Sequence, residues 1–269
     1  RIITETNTLL HGLKEYTELS INQMRILKYY FSMINFDDES TSFNSFKQVI
    51  PVKDLISFYN LKEVISRKHL TDAIDNFKNV WHLVNHDGES YEELKMFKTF
   101  RLTTINNVCV IEIEPTKDLE YYIHKHCAIS RTLKHRNIKY NLECISNFSC
   151  TKYWIFYEFI LFGYHYGHVF NEKNNVQRFN ISADYLMRTF ASSNHKTFEN
   201  SLNSAIKNIN KYTDLNVGKI ASKEIRNNDG TYEREVFMFL ISKKDTLSDV
   251  PPESTTISFT FDNETHITY

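Results

Sequence analysis

The stretch from Arg178 to Lys244 constrains the chain most, because two helical periods are followed there by two strand periods. It opens with Asn180-Ile-Ser-Ala-Asp-Tyr-Leu-Met-Arg-Thr-Phe190, in which Ser182 suits an N-cap and Leu186, Met187 and Phe190 share one helical face. The polar turn Ala191-Ser-Ser-Asn194 breaks that pattern. A longer helix is expected from about His195 to Tyr212, with Phe198, Leu202, Ala205, Ile206 and Ile209 at spacings of three and four. Leu215 to Ile220 then alternates, a polar run from Lys223 to Arg234 contains Asn228-Asp-Gly230, and Val236 to Ile241 reads as a buried strand. Two strands joined through an Asp-Gly turn make a hairpin. Helix, short turn, longer helix and hairpin form a winged helix-turn-helix.

A length of 269 residues suggests two domains. With 41% hydrophobic residues, 6 Gly and 4 Pro, the chain has enough apolar material for two cores and little of a loop-rich composition. The most apolar run, Tyr153 to Gly163, carries Glu158 and falls short of the roughly 18 residues a membrane span needs. No secretory leader is expected from the residues after Arg1. Cys109, Cys127, Cys144 and Cys150 are scattered and form no CxxC, which points to reduced thiols in a cytoplasmic protein.

Net charge is −1, but it is unevenly placed. Residues 1–147 balance 19 basic against 19 acidic side chains. Residues 148–244 carry 13 basic and 9 acidic ones, while residues 245–269 carry 5 acidic and no Lys or Arg. A basic domain followed by an acidic tail is compatible with phosphate binding.

In the first half, Leu19-Ser20 precedes a helix with Met24, Leu27, Phe31 and Ile34 on one face. Asp37 to Asn44 is expected as a loop, Phe46 to Ile50 as a strand stopped by Pro51, and Val52 to Tyr59 as a short helix. Ser66 is expected to cap a longer helix with Leu70, Ile74, Phe77 and Val80. Trp81 to Val84 reads as a strand, a charged loop follows His86-Asp-Gly88, and Phe97–Ile105 with Val108–Ile113 form a strand pair turned at Asn106-Asn107. The second half repeats that order, with a long helix from about Thr151 to Tyr166 and a strand around Gln177–Phe179. The fold class is therefore α+β, as tandem duplicated winged helix-turn-helix domains. The expected divisions are an amino-terminal winged helix at 1–135, a carboxyl-terminal one at 148–244, and an unassigned acidic tail at 245–269. A connecting helix from Lys117 to Ala128 and a link at 130–147 join the halves. In the tail, Thr255 to Phe261 alternates as a strand.

Several segments together resemble the iteron-plasmid replication initiators. They are Leu19-Ser-x-x-x-Met-Arg-Ile-Leu27, Ile50-Pro-Val-Lys-Asp-Leu55, Tyr153-x-x-Phe-Tyr-Glu-Phe159, and above all Ile206-Lys-Asn-Ile-Asn-Lys-Tyr-Thr-Asp-Leu-Asn-Val217. The resemblance spans roughly residues 5–244 and is weakest over 85–150. It implies a bacterial cytoplasmic, non-enzymatic initiator without cofactor or metal. Such proteins bind tandem iterons at a plasmid origin as monomers, help to open an adjacent AT-rich segment and recruit a host initiator and helicase. It also implies dimers formed through the amino-terminal domain, which bind an operator and repress the initiator's own gene.

In a helix-turn-helix the exposed start of the second helix enters the major groove. Here that set is Asn194, His195, Lys196, Thr197, Glu199, Asn200 and Asn203. Asn bonds adenine in a bidentate way, and Lys serves guanine or phosphate. Lys207 and Lys211 are placed for the DNA backbone, and Lys223, Arg226, Asn227 and Arg234 form a wing suited to the minor groove or phosphates. The first-domain counterparts are Arg67, Lys68, His69 and Thr71, with Lys47 and Lys53 nearby. Asp72 and Asp75 on the same helix repel phosphate, so the first domain is expected to contact mainly the backbone and the second to carry more specificity.

The ordinary alternative for each of these sets is a solvated helix face or hairpin tip. His124-Lys-His126 with Cys127 is no metal site, since positions 124 and 126 point about 200° apart on a helix. The aromatic residues of 153–166 read as helix core rather than a base-stacking platform. No GxxxxGK[ST] or nucleophile elbow is present. The rival functions are a winged-helix transcriptional regulator and a rolling-circle nicking enzyme, whose His-hydrophobic-His motif Lys125 interrupts.

Overall fold

A computed structural model describes residues 2–6, 13–34, 46–84, 91–132, 137–190, 195–226 and 232–244. The tail 245–269, the loop at 37–44 and the Ala191–Asn194 turn lie outside the described residues.

The chain begins with strand β1 (Ile2–Thr6), a 3-10 helix (Lys14–Glu18) and helix α1 (Ile21–Phe31). Ser20 starts α1 through a capping box. The Gln23 amide donates to Ser20 Oγ at 3.3 Å, and the Ser20 amide donates to Gln23 Oε1 at 2.9 Å. Met24, Leu27 and Phe31 are buried on the expected face, and Ile34 is buried three residues past the end of the helix. Strand β2 (Gln48–Pro51) leads into helices α2 (Val52–Phe58) and α3 (Glu63–Asp75), which make the first helix-turn-helix. Helix α3 starts earlier than Ser66 suggested. Lys62 holds its N-cap position, and Ser66 lies inside the helix. Gln23 Nε2 ties α1 to the end of α3 by donating to the carbonyls of Ala73 and Asn76.

The region after α3 departs from a plain winged helix. Strand β3 (Val80–Val84) pairs with β4 (Tyr91–Lys95), where the sequence suggested a charged loop. Trp81 and Leu94 face each other in that register and both are buried. The hairpin β5 (Phe97–Ile105) and β6 (Val108–Pro115) follows, turned at Asn106 and Asn107 with φ of 49° and 62°. Positive φ at both central residues is the type I′ geometry that Asn tolerates. Glu15 holds the inserted ribbon to the 3-10 helix. Its Oε2 accepts from the His82 amide at 2.7 Å, and its Oε1 lies 2.6 Å from His82 Nδ1.

Burial pushes the Glu15 carboxyl up, but the hydrogen bonds from His82 outweigh burial and leave it below the ordinary carboxylate range. A depressed folded-state value contributes stability above the unfolded value that disappears as pH falls through the folded one. Glu15→Gln is therefore expected to lower the melting temperature at neutral pH. Its gap to the unaltered chain should narrow as the medium is acidified, and a pH series of melting curves measures this.

Helix α4 (Lys117–Thr132), strand β7 (Asn137–Asn141) and the short helix α5 (Leu142–Ile145) lead to helix α6 (Thr151–Tyr166). The link at 130–147 is thus structured: β7 pairs antiparallel with β1 at the other end of the domain. Strands β8 (His168–Asn171) and β9 (Val176–Ser182), helices α7 (Ala183–Thr189) and α8 (His195–Tyr212), and strands β10 (Leu215–Arg226) and β11 (Tyr232–Lys243) complete the fold. Ser182 occupies the α7 N-cap, but its side chain makes no capping bond.

The two halves share one connectivity. In each, the strand before the helix pair lies antiparallel to the second strand of the hairpin, β2 on β6 and β9 on β11. The β3–β4 ribbon is inserted in the first half and β8 is added at the sheet edge in the second.

Helix α6 is apolar on nearly every side, so it must be buried on nearly every side. It packs on β9, β11 and α8 in its own half and on β7 and the 3-10 helix of the other. Its aromatic residues Trp154, Phe156, Tyr157 and Phe159 are core. Glu158, fully buried, meets Lys28 Nζ at 2.6 Å and accepts from the Tyr16 and Tyr140 hydroxyls at 2.6 and 2.5 Å. A carboxylate can stay charged in such a core because one cation and two hydroxyls occupy its lone pairs. After α6, a Cβ on Gly167 would overlap the carbonyl oxygens of Gly163 and Arg178. Gly167→Ala is expected to cost about 1–2 kcal/mol in a urea titration, since backbone must move to admit it.

Candidate nucleic-acid interface

Helix α8 sorts its side chains by chemistry. Phe198, Leu202, Ala205 and Ile209 are fully buried, and they fix which side of the helix faces outward. Lys196, Thr197, Asn200, Asn203, Lys207 and Lys211 are exposed. At 100° per residue, positions 196, 200, 203, 207 and 211 fall within an arc of about 80° and extend roughly 22 Å along the axis. The result is a continuous polar stripe with lysine at both ends and asparagine between. Among the described residues, Lys207 and Lys211 have no carboxylate within ion-pair distance. Lys211 Nζ instead sits 4.8 Å from the Tyr212 ring. Glu199 does not belong to this stripe: it pairs with Lys219 of β10 at 2.8 Å, on the side that packs against the hairpin. His195 is the first residue of α8, but its side chain and all of Asn194 lie outside the described residues.

The wing is longer than the sequence suggested, because its strands run through most of the polar stretch. Lys223 pairs with Val236, Ile225 with Arg234, and Arg226 with Tyr232. That register places Lys223, Arg226 and Arg234 in the outer part of the hairpin, away from the Leu215–Lys243 end. The side chains of 221–234 and the turn carrying Asn227 and Asn228-Asp-Gly230 lie outside the described residues.

Residues at the end of α8 fix the wing to the helix, and sequence reading assigned them no role. Asn210 Nδ2 donates to the Val217 carbonyl at 3.0 Å, while the Val217 amide donates to Asn210 Oδ1 at 2.7 Å. Thr213 Oγ1 donates to the Ile209 carbonyl and accepts from the Leu215 amide. Lys244 Nζ donates to the carbonyls of Asn210 and Thr213 at 2.6 and 2.5 Å, capping the helix. The signal was the polar segment Asn210-Lys-Tyr-Thr-Asp214, too polar for a last helical turn that merely packs.

The first-domain set is divided by the structure. Arg67 and Lys68 are exposed and Thr71 partly so, within about 100° of one another on α3. The Thr71 hydroxyl donates to the Arg67 carbonyl at 3.0 Å, and exposed Asp75 falls inside the same arc. His69 points about 160° from Thr71 and lines an open groove of about 440 Å³ with Glu18, Ser20, Gln23 and Asp72. It is therefore apart from the basic face. Lys47 lies on the sheet side, 3.5 Å from Glu112 and 3.4 Å from Glu114, which lowers its worth for phosphate. Lys53 is exposed in the first turn of α2, the helix that crosses the DNA backbone in this motif. Among the described residues no cluster of three His, Cys, Asp or Glu could hold a metal, and no helix is long and apolar enough to cross a membrane.

A family model described as "Initiator Replication protein, WH1" matches residues 2–161. Among solved structures, the crystal structure of Pi initiator protein in complex with iteron DNA is similar, with a TM-score of 0.62 and 17% identity. The likeness covers 90% of this chain and 97% of that one, and it extends the shared fold through both winged helices. No curated protein sequence matches.

Proposed function

The chain belongs to the initiator replication protein family, and from that premise we propose that it starts plasmid replication by binding origin iterons through both winged helices. The α8 stripe carries this reading: a rigid helix presents asparagines for base edges between lysines for phosphates, with nothing acidic in its arc. The similarity to Pi initiator protein, solved on iteron DNA, supports the same ligand. Thr197, Asn200 and Asn203 would read bases, Lys196 would serve a base or a phosphate, and Lys207 with the wing residues Lys223, Arg226 and Arg234 would hold the backbone. In the first domain, Arg67, Lys68 and Lys53 would contact phosphates, with little part for His69 and Lys47. The protein works without catalysis of its own, in the bacterial cytoplasm. It dimerises through its first domain to repress its operator, and it recruits a host initiator and helicase.

Fluorescence anisotropy with a duplex of the repeats beside the gene, against a scrambled duplex over a salt series, tests this reading. Repeat-specific binding that weakens steeply with salt, with both strands intact afterwards, is expected. Equal affinity for both duplexes contradicts it. A nicked strand covalently joined to the protein would establish the nicking enzyme instead.

A further inference from the structure

We propose that buried Lys28 and Glu158 are positioning residues that fix the separation of the two recognition helices, α3 and α8, so that the chain reads the spacing of its two contact sites on DNA as well as their sequence. The inference rests on both winged helices occupying one repeat. Three observations carry it.

The first is where the pair sits. Lys28 lies on α1, and the same helix grips the end of α3 through Gln23 Nε2, 3.0 Å from the Ala73 carbonyl and 3.2 Å from that of Asn76. Glu158 lies on α6, which packs on α8. Aromatic rings make that second connection. Phe156 of α6 is 5.9 Å from Phe190, and Phe190 is 5.9 Å from Phe198 of α8. Lys152 Nζ, also on α6, donates to the Phe190 carbonyl at the end of α7. Any movement of α1 against α6 therefore moves α3 against α8.

The second is direction. The Tyr59 and Trp154 rings meet across the junction at 6.3 Å, and Arg25 Nη2 lies 3.5 Å from the Phe148 carbonyl. Apolar attraction is non-directional, so ring contacts let two helices slide or turn at modest cost. The ion pair does not. Its atoms are 2.6 Å apart and both side chains are fully shielded from water. A slip of one residue along α6 displaces the carboxylate by about 1.5 Å and turns it by about 100°. That leaves a buried charge unpaired. One polar group in an apolar seam fixes the register of a coiled coil for the same reason.

The third is that the pair is itself held. The Tyr16 and Tyr140 hydroxyls donate to the Glu158 carboxylate at 2.6 and 2.5 Å, and Lys28 Nζ lies 5.1 Å from the Tyr16 ring. Gripped from the 3-10 helix and β7 as well, neither side chain is able to change rotamer and follow a displaced partner.

One base pair inserted between the two contact sites moves one of them by about 3.4 Å along the axis and turns it by about 35°. A rigid junction then forbids simultaneous engagement, and the gain from linking two binding modules disappears.

The test uses full-length chains on the repeat duplex and on duplexes with one base pair inserted or removed between the contact sites. The unaltered chain is expected to lose on the order of 100-fold in affinity on either altered duplex. Lys28→Met with Glu158→Gln, which removes both charges, is expected to lose no more than about tenfold. Gly167→Ala, which strains the second half away from the pair, should keep the full penalty, separating positioning from general loss of stability. Should the double variant fail to fold, adding Tyr16→Phe removes the hydroxyl that a single Gln carbonyl leaves over, and that chain is read in the same way. A folded variant with the full penalty, or an unaltered chain that tolerates the insertion, would overturn the proposal.

Pulsed electron paramagnetic resonance on the free chain supplies a readout independent of DNA, with spin labels at exposed Asp75 of α3 and Lys211 of α8. One narrow distance distribution is expected, which the double variant broadens or shifts by several ångströms. Identical distributions would overturn the proposal. If the unaltered chain does not prefer the repeats to scrambled duplex while the variant broadens the distribution, the iteron reading fails and the positioning role stands.

Discussion

Glu158→Ala is expected to destabilise the protein by about 3–5 kcal/mol, because it leaves the Lys28 ammonium charged in the core without its carboxylate. Both side chains are fully shielded from water, so solvent cannot replace the lost partner. The hydroxyls of Tyr16 and Tyr140 lose their acceptor at the same time. These four residues come from the 3-10 helix, α1, β7 and α6, so the damage falls where the two halves meet. Trp154, buried one turn before Glu158, should report the loss in a urea titration followed by fluorescence. Removing both charges, as Lys28→Met with Glu158→Gln, is expected to recover much of the difference, since the Gln carbonyl still accepts from a tyrosine. A Glu158→Ala variant within about 1 kcal/mol of the unaltered chain would mean that the pair does not couple the halves.

That coupling was only half legible in sequence. An apolar helix with one glutamate, and Lys28 between Leu27 and Phe31, both mark a charge that needs a buried partner. Nothing local says that the partners are each other, because 130 residues separate them and the β1–β7 pairing that helps join the halves is equally distant. The helices were readable because their buried faces repeat at helical spacing: α1, α6 and α8 appear with nearly the expected ends. The β5–β6 hairpin was readable from Asn106-Asn107. The β3–β4 ribbon was not, since among the described side chains of Tyr91-Glu-Glu-Leu-Lys95 Leu94 alone is buried, beside exposed Glu92, Glu93 and Lys95. Exposure alone also failed to separate His69 from Arg67, or Glu199 from Asn200. Which way each points depends on where its helix packs.

The second large effect concerns specificity. Asn200→Ala is expected to weaken binding to the repeats by about 10- to 100-fold and to leave scrambled DNA nearly unaffected, because a base-edge contact carries about 1–3 kcal/mol of discrimination. Lys207→Ala should weaken both duplexes alike and reduce the slope of log affinity against log salt by about 0.9, the share of one phosphate. Lys196→Ala, at the start of the stripe, should combine the two behaviours. All three positions are exposed, so melting temperatures should hardly move, which separates lost contact from lost folding. If Asn200→Ala and Lys207→Ala had the same effect on both duplexes, α8 would be a general phosphate binder rather than a reader.

The central claim is that two winged helices of one chain occupy one repeat, and methylation interference at guanine N7 tests it most directly. Two clusters of interfering guanines in the major groove, about one helical turn apart within roughly 20 base pairs, are expected: α8 reads bases at one, and at the other the N7 methyl groups obstruct the first domain's recognition helix as it holds the phosphates. The cluster assigned to α8 should be the one that Asn200→Ala weakens. A single cluster, unchanged when the first domain's Arg67 and Lys68 are replaced by Ala, would contradict the claim and leave the first domain with no place on the DNA.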